Sequence, residues 1–181
     1  SGVKGRRGAV TFTSNIGCAI GEAVAGVVHW SSTRVHRVCR STLAVESCAL
    51  SDAAGDNIFA RRAIQALWYG SEPASLTIDW RDSVIVKGAV VIDAKALYDH
   101  LTTCAAEPTD KFTKFDLMAV KELADGGYID VRWVPTNHQH ADSLTKELKM
   151  EDDSLRIVMK RCTISLVARN EEESKHELKK A

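Results

Sequence analysis

The chain has 181 residues, of which 45% are hydrophobic and 27% charged, and its 24 basic side chains are balanced by 24 acidic ones. That size and composition fit one globular domain with a tail, and no apolar run approaches the roughly 18–20 residues that a membrane span needs. With zero net charge, any polyanion partner has to be met by a local basic patch.

No basic-then-apolar leader opens the sequence. Five scattered cysteines without CxxC spacing predict free thiols in a reducing compartment, not a disulfide framework or a zinc site. In chain order, "AVTFT" and "AVAGVVHW" are β-rich runs separated by the turn-like "SNIG", which predicts an antiparallel hairpin or meander. The polar, basic connection "STRVHRVCR" leads into the longest helical candidate, residues 41–70. Ser41 or Thr42 can cap that helix and Gly70 can end it, while Gly55 beside Asp56 and Asn57 suggests a kink or two consecutive helices.

"SLTIDW" reads as strand or loop and "GAVVID" as a short apolar strand. "AKALYDHLTT" follows as a helix with Leu97 and Leu101 on one face. After the loop "AAEPTDKF", "TKFDLMAVKELADGG" predicts a helix closed by two glycines, and "YIDVRWV" alternates as a half-buried strand does. Pro135 ends that strand, and "TNHQH" leads into the helical "ADSLTKELK". Residues 151–181 read as a C-terminal extension, helical or partly disordered: "DSLRIVMKRC" as helix, "TISLVA" as strand, and a mixed-charge tail. Strands first, then alternating helices and strands, predict a mixed α/β fold with helices packed on the sheet.

Three carboxylates stand out. Glu46 lies three residues after Leu43 and four before Leu50, so it shares their helix face, where a carboxylate is costly unless paired, cation-bound or able to reach water. Asp93 ends the short apolar strand, a place where α/β sheets gather ligand-binding groups; it is equally suited to cap the helix after it. Asp142 follows a strand and loop and precedes a short helix, with the same two readings. If the three converge at one sheet edge, their repulsion calls for divalent cations, and hard oxygen ligands suit Mg²⁺. Two such ions can activate water and stabilise the leaving oxygen in phosphodiester cleavage.

"HWSSTRVHRVCRSTLAVESCALSDAA", "VVIDAKALYDHL" and "YIDVRWVPTNHQHADSLTKEL" together resemble, in order, the ribonuclease H domain that ends the reverse transcriptase polyprotein of copia-type retrotransposons. The resemblance covers roughly residues 5 to 150, the extent of the expected domain, and its closing Trp-Val-Pro-Thr, Gln, Ala-Asp and Leu-Thr-Lys signature is the most specific piece. It places Glu46, Asp93 and Asp142 on the family's catalytic, metal-holding acids. It implies a ribonuclease H-like, mixed five-stranded sheet flanked by helices, and two Mg²⁺ ions, with Mn²⁺ as a substitute. It further implies cleavage of RNA in RNA–DNA hybrids, an upstream reverse transcriptase domain as partner, and an intracellular, particle-associated setting. The family's first strand and its aspartate have no counterpart here, because seven residues precede Gly8 and none is acidic. The chain therefore reads as a nuclease completed by upstream sequence, or as a catalytically silent module that packs on a polymerase or binds nucleic acid. A third reading is an unrelated domain whose acids are all caps.

Arg34, Arg37 and Arg40 recur every three residues, either as solvated charge or as contacts to hybrid phosphates, which would be salt-dependent and largely sequence-independent. His138 and His140 flank Gln139 beside Asp142, and read either as a surface loop or as an aid to proton transfer.

Overall fold

The computed structural model describes residues 5–15, 22–69, 86–103, 108–136, 139–146 and 154–165. The fold mixes helices and strands. Strands β1 (Arg6–Ser14) and β2 (Glu22–Arg34) form the expected antiparallel hairpin. A bulge at Thr11/Phe12 leaves Val28 unopposed, since Thr11 faces His29 and Phe12 faces Val27. Helix α1 (Thr42–Tyr69) follows, capped by Ser41, whose Oγ accepts the Ala44 N–H at 3.2 Å.

The expected break in α1 does not occur: the helix runs unbroken for 28 residues, about 42 Å. Gly55 faces open space, so it weakens the helix without bending it, and packing on both sides of it holds the axis together. Strand β3 (Ala89–Ile92) then leads into α2 (Lys95–Thr102) and α3 (Lys111–Asp125), which carry the chain over to β4 (Asp130–Trp133). The β3–β4 pairing is parallel, the arrangement such a helical crossover permits. Asp110 caps α3 by accepting the Thr113 N–H at 2.9 Å, and Gly127, at φ 71°, turns the chain at its far end. A 3-10 helix (His140–Leu144), α4 (Ser154–Arg161) and β5 (Thr163–Ser165) complete the order.

Residues 154–165 are built into the fold. β5 pairs antiparallel with Glu22, Ala23 and Val24 of β2, and Val158 and Ile164 bury against Ala25 with Phe12 alongside. The larger core lies elsewhere, where Leu50 and Ala54 of α1 meet Val90, Ile92, Leu97, Tyr98 and Val120. "SLTIDW", His138 and the tail beyond Ser165 lie outside the described residues.

One expectation about the sheet differs from what is observed. Among the described residues the five strands divide into a three-stranded sheet, ordered β1-β2-β5, and the separate β3-β4 pair. The outer edge of β3 explains the division. The Gly88 and Ile92 carbonyls accept the Asp130 and Val134 N–H groups, so strand alternation turns the Ala89 and Val91 carbonyls away from β4. Side-chain amides occupy those two: Asn57 Nδ2 donates to Ala89 O at 3.2 Å and Gln139 Nε2 to Val91 O at 3.3 Å. The edge is blunted by side chains in place of a neighbouring strand.

Candidate active site

Leu43 and Leu50 hold one face of α1 against the β3 core, and Glu46, between them on that face, is carried to the end of β3 where Asp93 stands. Glu46 is half-buried, and this burial, followed by the charge of Asp93, pushes its carboxyl above the usual range. The two acids, 47 positions apart in the chain, therefore share one electrostatic site. Neither has a cationic partner among the described residues.

Capping does not account for Asp93. The N-cap of α2 is Ala94, and no side chain bonds the first turn. The Asp93 main chain is fixed instead by the Trp133 indole, which donates to its carbonyl at 3.0 Å and ties the β3–α2 junction to the end of β4. Nearby, Lys95 lies over the rings of Tyr98 and Trp133 at 5.1 and 5.4 Å but pairs with Asp99 at 3.0 Å.

Asp142 is not a cap either. Gln139 is the N-cap of the 3-10 helix, its side-chain oxygen accepting the Ala141 N–H at 3.4 Å while its amide reaches Val91 of β3. One glutamine thus tethers the segment bearing Asp142 to the strand that ends in Asp93. The Asp142 carboxylate itself pairs with Lys146 at 2.7 Å. Among the described residues no three His, Cys, Asp or Glu side chains are grouped to hold a metal ion. The charge of Asp93 acts on Glu46, and Gln139 ties the segment bearing Asp142 to β3, while the Asp142 carboxylate itself pairs with Lys146. The Glu46–Asp93 pair fits a hard divalent cation, because two neighbouring carboxylates, one of them half-buried, gain most from a positive charge between them.

The other candidates separate. Arg37 donates to Asp116 at 2.5 Å and stacks over Phe112 at 5.5 Å, and the bond to Asp116 raises its pKa further above the ordinary arginine value. It therefore pins the β2–α1 connection to α3. Arg34 and Arg40 are exposed, and the charge of Arg40 acts on Asp110. His140 packs edge-on against Phe12 with ring centroids 5.8 Å apart, a contact that holds the 3-10 helix to the hairpin.

Sequence reasoning passed over Lys146, although its spacing of four from Asp142 is the ordinary helical signal for an ion pair. It also passed over Arg61, a buried guanidinium that donates to the Val86 carbonyl at 2.6 Å and to the Tyr128 carbonyl, joining α1 to the chain ahead of both β3 and β4. No local pattern announces that role. Scans against protein-family models, curated proteins and solved structures return no match to this chain.

Proposed function

We propose that this chain is a ribonuclease H-like nuclease domain of a copia-type retroelement, which hydrolyses the RNA strand of RNA–DNA hybrids with Mg²⁺. The observation that carries this reading is the electrostatic coupling of Glu46 and Asp93 at the end of β3, two carboxylates on separate elements with neither a cap nor an ion pair among the described residues to occupy them. Ordinary folding gains nothing from that juxtaposition. Glu46 and Asp93 would hold the metal, and Asp142 would join them on leaving Lys146. The bound ions would supply an activated water and stabilise the leaving oxygen. The chain's own part is positional: Trp133 fixes the Asp93 main chain, and Gln139 holds the Asp142 segment to β3. An upstream reverse transcriptase domain is the partner in this reading. No described helix is long and apolar enough to cross a membrane.

A second reading, a ribonuclease H-like module that binds without cutting, is favoured by the Asp142–Lys146 pair, which withholds one acid from the site. Cleavage of a labelled hybrid with Mg²⁺ decides between them, run on this chain and on a version extended upstream. The nuclease reading expects cutting by at least the extended version and its loss in Glu46→Gln and Asp93→Asn. If neither version cuts, or if Asp93→Asn cuts normally, the nuclease reading is wrong.

A further inference from the structure

The hairpin register sets Arg6 directly opposite Arg34, Gly8 opposite Ser32 and Val10 opposite Trp30. Residues opposite one another and two apart along a strand share a face, so Arg6, Arg34 and Trp30 lie on one face of the hairpin. That face meets the 3-10 helix. Ser32 Oγ donates to the Leu144 carbonyl at 2.6 Å, and a Cβ added at Gly8 would stand 2.7 Å from the Ala141 carbonyl oxygen. Arg7 and Thr33, one residue along, turn to the opposite face, where Arg7 bonds Thr33 and pairs with Asp52 of α1.

Arg7 thus has its acid, whereas Arg6 and Arg34 are exposed with no acidic partner among the described residues. Their Cβ atoms are about 4.5–5.5 Å apart in such a pairing, and like charges directly opposite one another destabilise a sheet. Trp30, on the same face, is 64% exposed. In a chain of zero net charge this is a local concentration of uncompensated positive charge beside a bare aromatic surface. It complements a strand of nucleic acid, whose phosphates take the guanidinium groups and whose sugars and bases take the indole.

We propose that Arg6, Arg34 and Trp30 form a nucleic-acid track beside the Asp142 end of the carboxylate site. The proposal deepens the nuclease reading and rests on it for the choice of ligand. The track touches phosphates, which positions the duplex without reading its sequence. It replaces the triplet of Arg34, Arg37 and Arg40, from which the Asp116 pairing removes Arg37.

Binding of a fluorescein-labelled RNA–DNA hybrid, followed by anisotropy in EDTA so that no cutting occurs, tests this directly. Arg6→Ala with Arg34→Ala is expected to weaken binding at least about tenfold at about 100 mM salt, and to lower the slope of log affinity on log salt by about 1.8, roughly 0.9 for each phosphate no longer neutralised. Arg6→Lys with Arg34→Lys restores the slope. Trp30→Ala weakens binding about fivefold or more with the slope unchanged, as removal of a stacking surface does. The melting temperature of the alanine pair stays level or rises, because a repulsion has been removed, and Lys87→Ala with Lys121→Ala serves as the charge-matched control with wild-type binding. The track is overturned if the alanine pair binds as the wild type does, if the wild type binds no hybrid, or if poly-glutamate displaces the hybrid through the same residues with higher affinity. A hybrid held by the arginines but left uncut in Mg²⁺, both by this chain and by the version extended upstream, refutes the nuclease reading alone. Cutting and binding that ignore both arginines refute the track alone.

Discussion

Glu46 sits where the interests of a site and of a fold conflict. Its carboxyl is raised above its unfolded value, so the native state binds that proton more tightly than the unfolded chain does. Stability therefore declines as pH rises from the unfolded value, about 4.3, through the folded one, and the full penalty stands above the latter. Because the group is only half-buried, solvent screening keeps the effect small. Glu46→Gln is expected to raise the melting temperature at pH 7 by about 1–2 °C, the change that well under 1 kcal/mol produces in a domain of this size, and the gain should vanish below about pH 4. Melts across a pH series check it; a lower melting temperature for the glutamine variant at pH 7 would mean that Glu46 has a stabilising partner. Mg²⁺ should then stabilise the wild type and leave Glu46→Gln unmoved.

Gly88 shows a constraint of another kind. A Cβ there would run into Asn57 Oδ1 and lie 2.5 Å from Arg61 Cδ. Neither neighbour can swing away cheaply, since Asn57 is bonded to Ala89 and Arg61 to Val86 and Tyr128. Gly88→Ala should cost about 1–3 kcal/mol in denaturant unfolding, the usual range for an overpacked site. Gly88→Ala should cost less in an Asn57→Ala background, which lacks the Oδ1 that the new Cβ meets; if it costs as much, the crowding lies elsewhere. The acids of the proposed site were legible one by one in the sequence, in the order Glu46, Asp93, Asp142. The partners of Gly88 were not, because Asn57, Arg61 and Gly88 meet only after α1 has packed along β3.

At the scale of elements, periodicity located α1 to α4, β3 and β4 to within a residue or two, because each buries one face and its sequence carries that period. By contrast, β1 begins three residues before its predicted run, β2 ends four residues after its own, and the helix expected from Ala141 is a 3-10 helix over His140–Leu144. What periodicity could not reveal is how a segment end is satisfied. Asp93 and Asp142 both stand where an aspartate normally caps a helix, and neither does so. The cap falls to Gln139, which also closes the outer edge of β3, so one side chain serves two backbone groups that are far apart in sequence. Gln139→Ala removes both bonds. It is expected to lower global stability by only about 1–2 kcal/mol. Amide exchange over residues 140–146 should accelerate well beyond that of α3, since the segment loses its tether to the strand. Exchange that speeds up uniformly in both places would show that the 3-10 helix opens only with the whole protein.

For the whole molecule, a mixed α/β order was legible in the alternation of segments, but the division of the described strands into two sheets was not. The amide groups of Asn57 and Gln139 occupy the outer edge of β3, and no propensity scale registers such long-range pairs. The tail is the other lesson. Residues 154–165 carry only a short apolar pattern, yet β5 extends the hairpin sheet, and Ile164, 7% exposed, pairs with Ala23 and packs on Ala25 and Val158. If this segment belongs to the cooperative unit, Ile164→Ala must weaken the entire fold, by about 2 kcal/mol, near the low end for such a truncation because the cluster around it is small. The main unfolding transition should shift as one step, with fluorescence and far-UV dichroism changing together. An appended segment would respond differently: dichroism would lose a small early fraction while the main midpoint stayed in place. The hairpin carries Arg6, Arg34 and Trp30, so a cooperative shift would also tie the stability of the proposed nucleic-acid track to β5 on the other side of β2.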